Sequence, residues 1–329
     1  MGERVFVTGG SGLIGRVLVK RLAGRGDRVV ALARSDASAA DLAGLGADVV
    51  RGDLLDERAL AEGMRDTAIA YNVAGVNTLC PTDPAPLYRV NRDGARAVVR
   101  AAAAAGVRRL VHTSSAATLG EAEGTVGSED SPHRGSFLSD YERSKTEGEQ
   151  AVMEETARTG LDVVLVNPSS VQGPGRTGGT GRILIALLDR RLPVFIDTRI
   201  SVTDIADTVE GHVLAAERGA PGRRYVLCGA VLTTAEAMDL LSRVSGHAVR
   251  PRIVPSAVAS AAGALAEGVF RLARRHPPFC RAMARTIIHG HAYDGSRAAR
   301  ELGLRYTPVE DTLRRTLEWA RAEGLVRAG

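Results

Sequence analysis

Two hydrophobic periods alternate through the first half of the chain. Arg4 to Thr8 is a short apolar run of β character, whereas the apolar positions from Leu13 to Ala23 recur at helical spacing. β character returns at Arg28 to Ala33, Ala47 to Arg51 and Thr67 to Val73, and a helical pattern follows from about Pro86 to Ala105. Arg108 to Thr113 and Asp162 to Val166 add two more apolar runs. Strands apolar on both faces and separated by helices predict a parallel sheet covered on both sides. Right-handed crossovers make that a doubly wound α/β fold.

Beyond Pro168 the rhythm changes. A stretch rich in Gly, Pro, Ser and Thr, Pro168 to Gly181, leads to a helix and a short strand, Pro193 to Ile196. A helix from Asp204 to Arg218 and a strand from Arg224 to Leu227 come next, and the remainder reads as mainly helical, with a strand near Val249 to Val254. The pattern predicts a larger unit over residues 1–171, joined by about 200–228. A smaller, mainly helical unit for the substrate, residues 172–199 and 229–329, would close over the carboxyl edge of the sheet, where ligands sit in such folds.

Composition narrows the function classes. With 44% hydrophobic and 25% charged residues the chain is an ordinary globular protein, and 329 residues suit two packed units. Its net charge of +5 comes from scattered arginines, and aromatics are only 4%, so no nucleic-acid groove is expected. The alanine-rich stretch Ser256 to Ala273 is interrupted by Glu267 and Arg271, which argues against stable membrane insertion. It reads as a core helix of the smaller unit, although it would also suit contact with a lipid-like substrate. Cys80, Cys228 and Cys280 are far apart and odd in number, which predicts no disulfide framework and a reducing compartment. The sequence opens directly on a strand with no secretory leader, so a cytoplasmic protein is expected.

Directly after the first strand comes Thr8-Gly9-Gly10-Ser11-Gly12-Leu13-Ile14-Gly15, with a helix behind it. Glycines at this spacing allow a tight turn, close approach of the backbone to a pyrophosphate, and helix-on-strand packing. The helix N-terminus then offers unpaired N–H groups to phosphate. A dinucleotide cofactor is the reading, against a merely flexible turn. At the end of the second strand, Arg34 stands where an NAD enzyme would carry an acid for the ribose hydroxyls, which favours NADP, with NAD as the alternative. Asp36 lies two positions on and complicates that choice; Arg34 also reads as a plain surface cation. Asp53, followed by Leu54, is placed either to bond the adenine edge or to cap a helix.

Ser139-x-x-Glu142 is a capping-box pattern that starts a helix near Ser139 and stacks Tyr141 and Lys145 on one face. A nearby ammonium lowers the pKa of a phenol and makes it a usable acid–base group. Upstream, the strand Arg108 to Thr113 ends in Ser114-Ser115 at the carboxyl edge of the sheet, where a serine can hold a reacting carbonyl. Each signal is weak alone, since Tyr-x-x-x-Lys and Ser-Ser both recur by chance; their order on a dinucleotide fold joins them.

With Thr8-Gly9-x-x-Gly12-x-x-Gly15, Gly52-Asp53-Leu54, Asn72-Val73-Ala74-Gly75, Asn91-x-x-Gly94, Thr113-Ser114-Ser115-Ala116, Tyr141-x-x-x-Lys145 and the tail Leu302-Gly303-Leu304-x-Tyr306-x-Pro308, the chain resembles the extended short-chain dehydrogenase/reductases over nearly its whole length. Those belong to the NAD-dependent epimerase/dehydratase superfamily and carry a Rossmann domain. Thr113 to Gly120 and Asn167-Pro168-Ser169-Ser170 are similar to the dihydroflavonol-reductase-like branch, near proteins called hopanoid-associated sugar epimerases. The resemblance implies that Tyr141 is the general acid/base, that Lys145 bonds the nicotinamide ribose and tunes Tyr141, and that Ser115 polarises the carbonyl with Ser114 nearer the cofactor. It further implies that Val73, Ala74 and Gly75 line the cofactor channel and that Pro168, Ser170 and Val171 flank the nicotinamide. Ser170 stands where many nucleotide-sugar epimerases carry an asparagine for the sugar diphosphate, which weighs against such a substrate.

The expectation is an NADP(H)-dependent carbonyl reductase, or the reverse alcohol dehydrogenase, acting on a small molecule. The alternatives are an NAD-dependent sugar epimerase or dehydratase with internal redox, and a non-catalytic dinucleotide sensor. No metal is expected: His289-Gly290-His291 shows no third ligand in the sequence and reads as ordinary packing. Helices near 86–105 and 139–158 are candidates for a homodimer interface.

Overall fold

The computed structural model describes residues 2–273, 277 and 279–327. Its first elements are β1 (Arg4–Thr8), α1 (Leu13–Gly24), β2 (Arg28–Ala33), α2 (Asp36–Gly44), β3 (Asp48–Arg51), α3 (Glu57–Gly63) and β4 (Ile69–Asn72). The expected helix from Pro86 to Ala105 is built in three pieces: α4 (Ala85–Tyr88), a π-helical turn (Arg89–Gly94) and α5 (Ala95–Ala104). β5 (Arg109–Thr113), a 3-10 turn (Ala116–Leu119), α6 (Asp140–Thr159) and β6 (Asp162–Pro168) complete the first half. The rest runs β7 (Ser170–Gln172), α7 (Thr180–Leu188), β8 (Val194–Ile196), β9 (Arg199–Asp204), α8 (Ile205–Arg218), β10 (Arg224–Leu227), β11 (Ala230–Thr233) and α9 (Thr234–Ser245). It ends with β12 (Arg252–Val254), α10 (Ser256–Leu272), α11 (Arg281–His289) and α12 (Val309–Ala322).

The seven-stranded sheet has the order β3-β2-β1-β4-β5-β6-β10 and is parallel at every pairing. The order reverses between β1 and β4, and the crevice for a ligand falls at that switch. Register aligns Thr8 with Asn72 and Asn72 with His112, so the strand ends present one polar row at the carboxyl edge. Alternation along β1 explains the two covered faces. Val5 and Val7 join Leu18, Val19, Val209 and Val213 from α1 and α8. Phe6 points the other way, among Leu60, Val98, Val99 and Val152 from α3, α5 and α6.

Two small sheets, β11-β9-β7 and β12-β8, follow the break at Ser169. A separate apolar core gathers Leu184, Leu188, Met238, Leu241 and Leu317 from α7, α9 and α12. The chain then returns, since Ala298, Leu302 and Leu304 pack into the first core. Helix α2 escaped the sequence pattern because Leu42 is its one buried residue, and β7 is too short to show alternation.

Two expectations are overturned. Helix α10 is not a core helix: Val258, Leu265, Val269 and Leu272 are 54%, 70%, 56% and 89% exposed, while Ala259 is buried and Gly263 faces Cys280 and Ala284. Among the described residues no helix is long and apolar enough to cross a membrane. Cysteine spacing also misled. Cys80, in the segment leaving β4, and Cys280, at the start of α11, form a disulfide across 200 residues, and only Cys228 is free. The tertiary fold joins cysteines that look isolated in the sequence, and the cysteine argument for a reducing compartment falls with it.

Denatured but unreduced protein should therefore react with one equivalent of a thiol reagent, and with three after reduction. Three equivalents before reduction would remove the cross-link.

Candidate active site

The glycine turn is a cradle that side chains would fill. Gly9 has φ +66°, and a Cβ there would lie 2.5 Å from the Ala74 backbone; one at Gly15 would lie 2.2 Å from the Gly9 carbonyl. The turn thus packs directly on the segment leaving β4. Gly12 caps α1 with no side-chain partner, leaving the helix N-terminus to an external acceptor. Ser11 and Gly12 are exposed and Leu13 and Ile14 half-buried, so the turn is open to a ligand on one side. These residues fit a dinucleotide pyrophosphate. Thr8 is fully buried, and its hydroxyl donates to Asn72 Oδ1 at 2.6 Å, so it braces the sheet edge.

On the adenosine side Arg34 is exposed, and among the described residues no ion pair engages it. Asp36, the competing residue, is paired with Arg51 at 3.0 Å. Asp53 does not cap α3, because Asp56 does, accepting from Ala59 N–H. Asp53 instead accepts from Leu55 N–H, which leaves it at the crevice with Leu54 packed against Gly94.

The candidate catalytic residues Ser115, Tyr141 and Lys145 come together where β4, β5 and α6 meet. Ser139 caps α6 through Glu142 N–H, as the sequence predicts, but Glu142 reaches past Ser139 to accept from Leu138 N–H at 3.0 Å and pairs with Arg134. That cap fixes Tyr141 in the first turn. Ser115 caps the 3-10 turn through Ala117 N–H, and its hydroxyl lies beside Tyr141, where it favours the phenolate. Lys145, buried one turn on from Tyr141, donates from Nζ to the Thr113 carbonyl at 2.7 Å. A Cβ at Gly75 would lie 3.8 Å from the same nitrogen. Val73 and Ala74 are half-buried and Gly75 is exposed.

The titration of Tyr141 runs opposite to expectation. Burial pushes its phenol above the usual value of 10, with Ser115 and Arg176 pulling the other way. Lys145 is aimed at a backbone carbonyl instead, and its own pKa is pushed down by burial to about 8, with Glu149 opposing. Tyr141 is therefore protonated throughout the neutral range. Thr113 Oγ1 is bonded to His212 Nε2 at 2.8 Å, and His212 Nδ1 to the Thr208 carbonyl at 2.7 Å. Burial lowers His212 to about 4 and drives His112 well below 6.5, so both are neutral braces.

Several residues beyond the sequence reading shape the site. Glu149, buried a further turn along α6 from Lys145, accepts from Ser114 Oγ, from Thr118 Oγ1 at 2.9 Å and from Asn167 Nδ2 at 2.8 Å, and pairs with Arg224. Ser114 is thus bonded into this network. Asn91, in the π-helical turn, bonds Val76 through both N–H and carbonyl and donates to Ser144 Oγ, clamping the β4 loop to α6. The sequence signal for it was the Asn91-x-x-Gly94 spacing; nothing local marks Glu149. Arg176 acts on Tyr141 from the loop after β7, and neighbouring Gly175 sits against Leu13 of the glycine turn. After Pro168 ends β6, Ser170 Oγ is bonded to Thr180 Oγ1 at 2.9 Å and to Gln172, and Val171 is buried.

Fold and site together define a class, the Rossmann oxidoreductases of the extended short-chain dehydrogenase/reductase type. The family model described as "NAD dependent epimerase/dehydratase family" matches residues 5–228, and the chain belongs to that family. It is 32% identical to sterol demethylase protein B of Methylococcus capsulatus, covering 98% of this chain and 99% of that one. It is 31% identical to a dihydroflavonol 4-reductase-like protein of Synechocystis sp., covering 99% and 97%. Another relative, the 4-hydroxy-2-methyl-3-oxo-4-farnesyl-3,4-dihydroquinoline-1-oxide ketoreductase of Stigmatella aurantiaca, is 31% identical, covering 91% of each chain. Among solved structures, gox2253 superposes with a TM-score of 0.85 at 26% identity, covering 99% of this chain and all of that one.

If Tyr141 delivers a proton while Lys145 is charged, kcat/KM for carbonyl reduction stays flat through neutral pH and falls as pH rises past about 8. Lys145→Arg should move that fall to higher pH; an unmoved profile would assign it to another group.

Proposed function

We propose that the protein is an NADP(H)-dependent ketoreductase acting on the carbonyl of a small molecule. The observation that carries this reading is the placement of Ser115 beside Tyr141 at the carboxyl edge of the sheet, with burial pushing the Tyr141 phenol above its usual range. When bound, the nicotinamide supplies the hydride. A carbonyl oxygen entering between Ser115 and Tyr141 takes a hydrogen bond from the serine hydroxyl and the proton from the phenol. Lys145, anchored on the Thr113 carbonyl, keeps a positive charge beside the developing alkoxide and has donors left for a ribose hydroxyl. The ketoreductase relative, whose named substrate carries a farnesyl chain, supports a ketone on a largely apolar molecule. The choice of NADP(H) over NAD rests on the unpaired Arg34 and on Asp36 being held by Arg51. We also propose a homodimer through the α5–α6 face, which a monomeric mass in light scattering would exclude.

Purified protein should release little dinucleotide on denaturation and bind NADPH more tightly than NADH. Arg34→Ala should weaken NADPH roughly tenfold or more, as loss of a charged hydrogen bond does, and leave NADH nearly unchanged. Stoichiometric, tightly held NAD would instead favour an epimerase or dehydratase with internal redox, and no binding of either cofactor would favour a non-catalytic protein. Tyr141→Phe should cut turnover by about 10²–10⁴ while NADPH binding stays near normal; undiminished turnover would overturn the proton-donor role.

A further inference from the structure

The histidines at 289 and 291 find a third group that the sequence hides. Glu121 directly follows Gly120, just beyond the turn that Ser115 caps, and its side chain is 1% exposed. One ligand atom from each of Glu121, His289 and His291 lies within 4.8 Å of the others. His289 Nε2 is 3.4 Å from Glu121 Oε1, and His291 Nδ1 is 2.6 Å from the same oxygen. The first separation is that of two ligands on a tetrahedral ion with bonds of about 2.1 Å.

Hydrogen-bond accounting leaves this cluster incomplete. Glu121 Oε2 and His289 Nε2 are both buried without a partner, and the His289 side chain is 7% exposed. His291 Nδ1 faces Glu121 Oε1 and the Tyr293 hydroxyl at 2.8 Å at the same time. A protonated Nδ1 serves the carboxylate and leaves the hydroxyl nothing to donate to. A bare Nδ1 accepts from the hydroxyl and sets its lone pair against the carboxylate. A cation removes the clash of lone pairs, because it takes them from the carboxylate and from both imidazoles and frees the Tyr293 hydroxyl from Nδ1.

The backbone holds the ligands in this arrangement. Gly290 has φ +64°, a left-handed turn at the end of α11 that brings residues 289 and 291 to one side, and a Cβ there would lie 2.9 Å from Arg199 N. Thr198 Oγ1 holds the Ile287 carbonyl, and Ser201 Oγ the His291 carbonyl at 2.7 Å. Arg134, a neighbouring cation, pairs with Glu142 and donates to the Glu121 carbonyl, and its Nε is buried without a partner.

We propose that Glu121, His289 and His291 form a binding site for one divalent first-row transition ion, of which zinc is the best fit to two imidazoles and a carboxylate. The ion clamps α11 and the strand-like segment after it onto the loop that follows Ser115. Its open coordination position is left to water.

The test uses full-length protein stripped with chelator and titrated with Zn2+ by calorimetry, then with Co2+ followed by visible absorption. One equivalent per chain, a Co2+ spectrum of tetrahedral type, and no displacement by excess Mg2+ are expected. His289→Ala should weaken Zn2+ by more than ~100-fold, beyond the effect of losing an outer partner, and Tyr293→Phe by about tenfold. Circular dichroism and dinucleotide binding report whether each variant folds. His289 makes no hydrogen bond, so His289→Ala remains informative even if Glu121→Gln fails to fold. Absence of Zn2+ binding, or binding unchanged in folded His289→Ala, would overturn the site and leave a hydrogen-bonded cluster only.

Discussion

A single buried carboxylate holds the site in register. Glu149 takes three side-chain hydrogen bonds on one oxygen and an arginine on the other, from segments far apart in sequence. Burying a charge is costly unless it is paired and hydrogen-bonded, and here every donor belongs to a different strand end or turn. Ser114 and Thr118 flank Ser115, so the network fixes the turn that carries it. Asn167 and Arg224 secure the ends of β6 and β10. Lys145 lies one helical turn before Glu149, and the charge of that acid opposes the lysine's loss of its proton. Without this carboxylate the strand ends would have no common reference.

The second consequence of burial concerns the state of Tyr141. Burial disfavours the charged form of a phenol, so Tyr141 keeps its proton through neutral pH, with Ser115 and Arg176 opposing the shift.

Legibility from sequence followed distance along the chain. The glycine turn, the Tyr141–Lys145 spacing and the Ser114-Ser115 strand end are local patterns, and their positions on β1, α6 and β5 were readable. Glu149, Arg176 and Glu121 are ordinary charged residues until the fold brings donors or imidazoles to them. Cys80 and Cys280 failed in the same way, as did the sign of the Tyr141 shift, which depends on how deeply the ring is packed. Helix α10 shows the converse: its composition resembles a core helix, and only the packing of its neighbours leaves one side uncovered.

The Cys80–Cys280 bond bears on how the edge of the site is held. It ties the segment that runs on from Gly75 to the residue that caps α11, so these two segments cannot part while the bond stands. The loop after β7 is held by no such bond; Gly173, Gly175 and Gly179 all stand at positive φ with Arg176 among them, beside both the glycine turn and Tyr141. One edge of the site is thus tied covalently, while the other is shaped by glycine backbone around a single arginine.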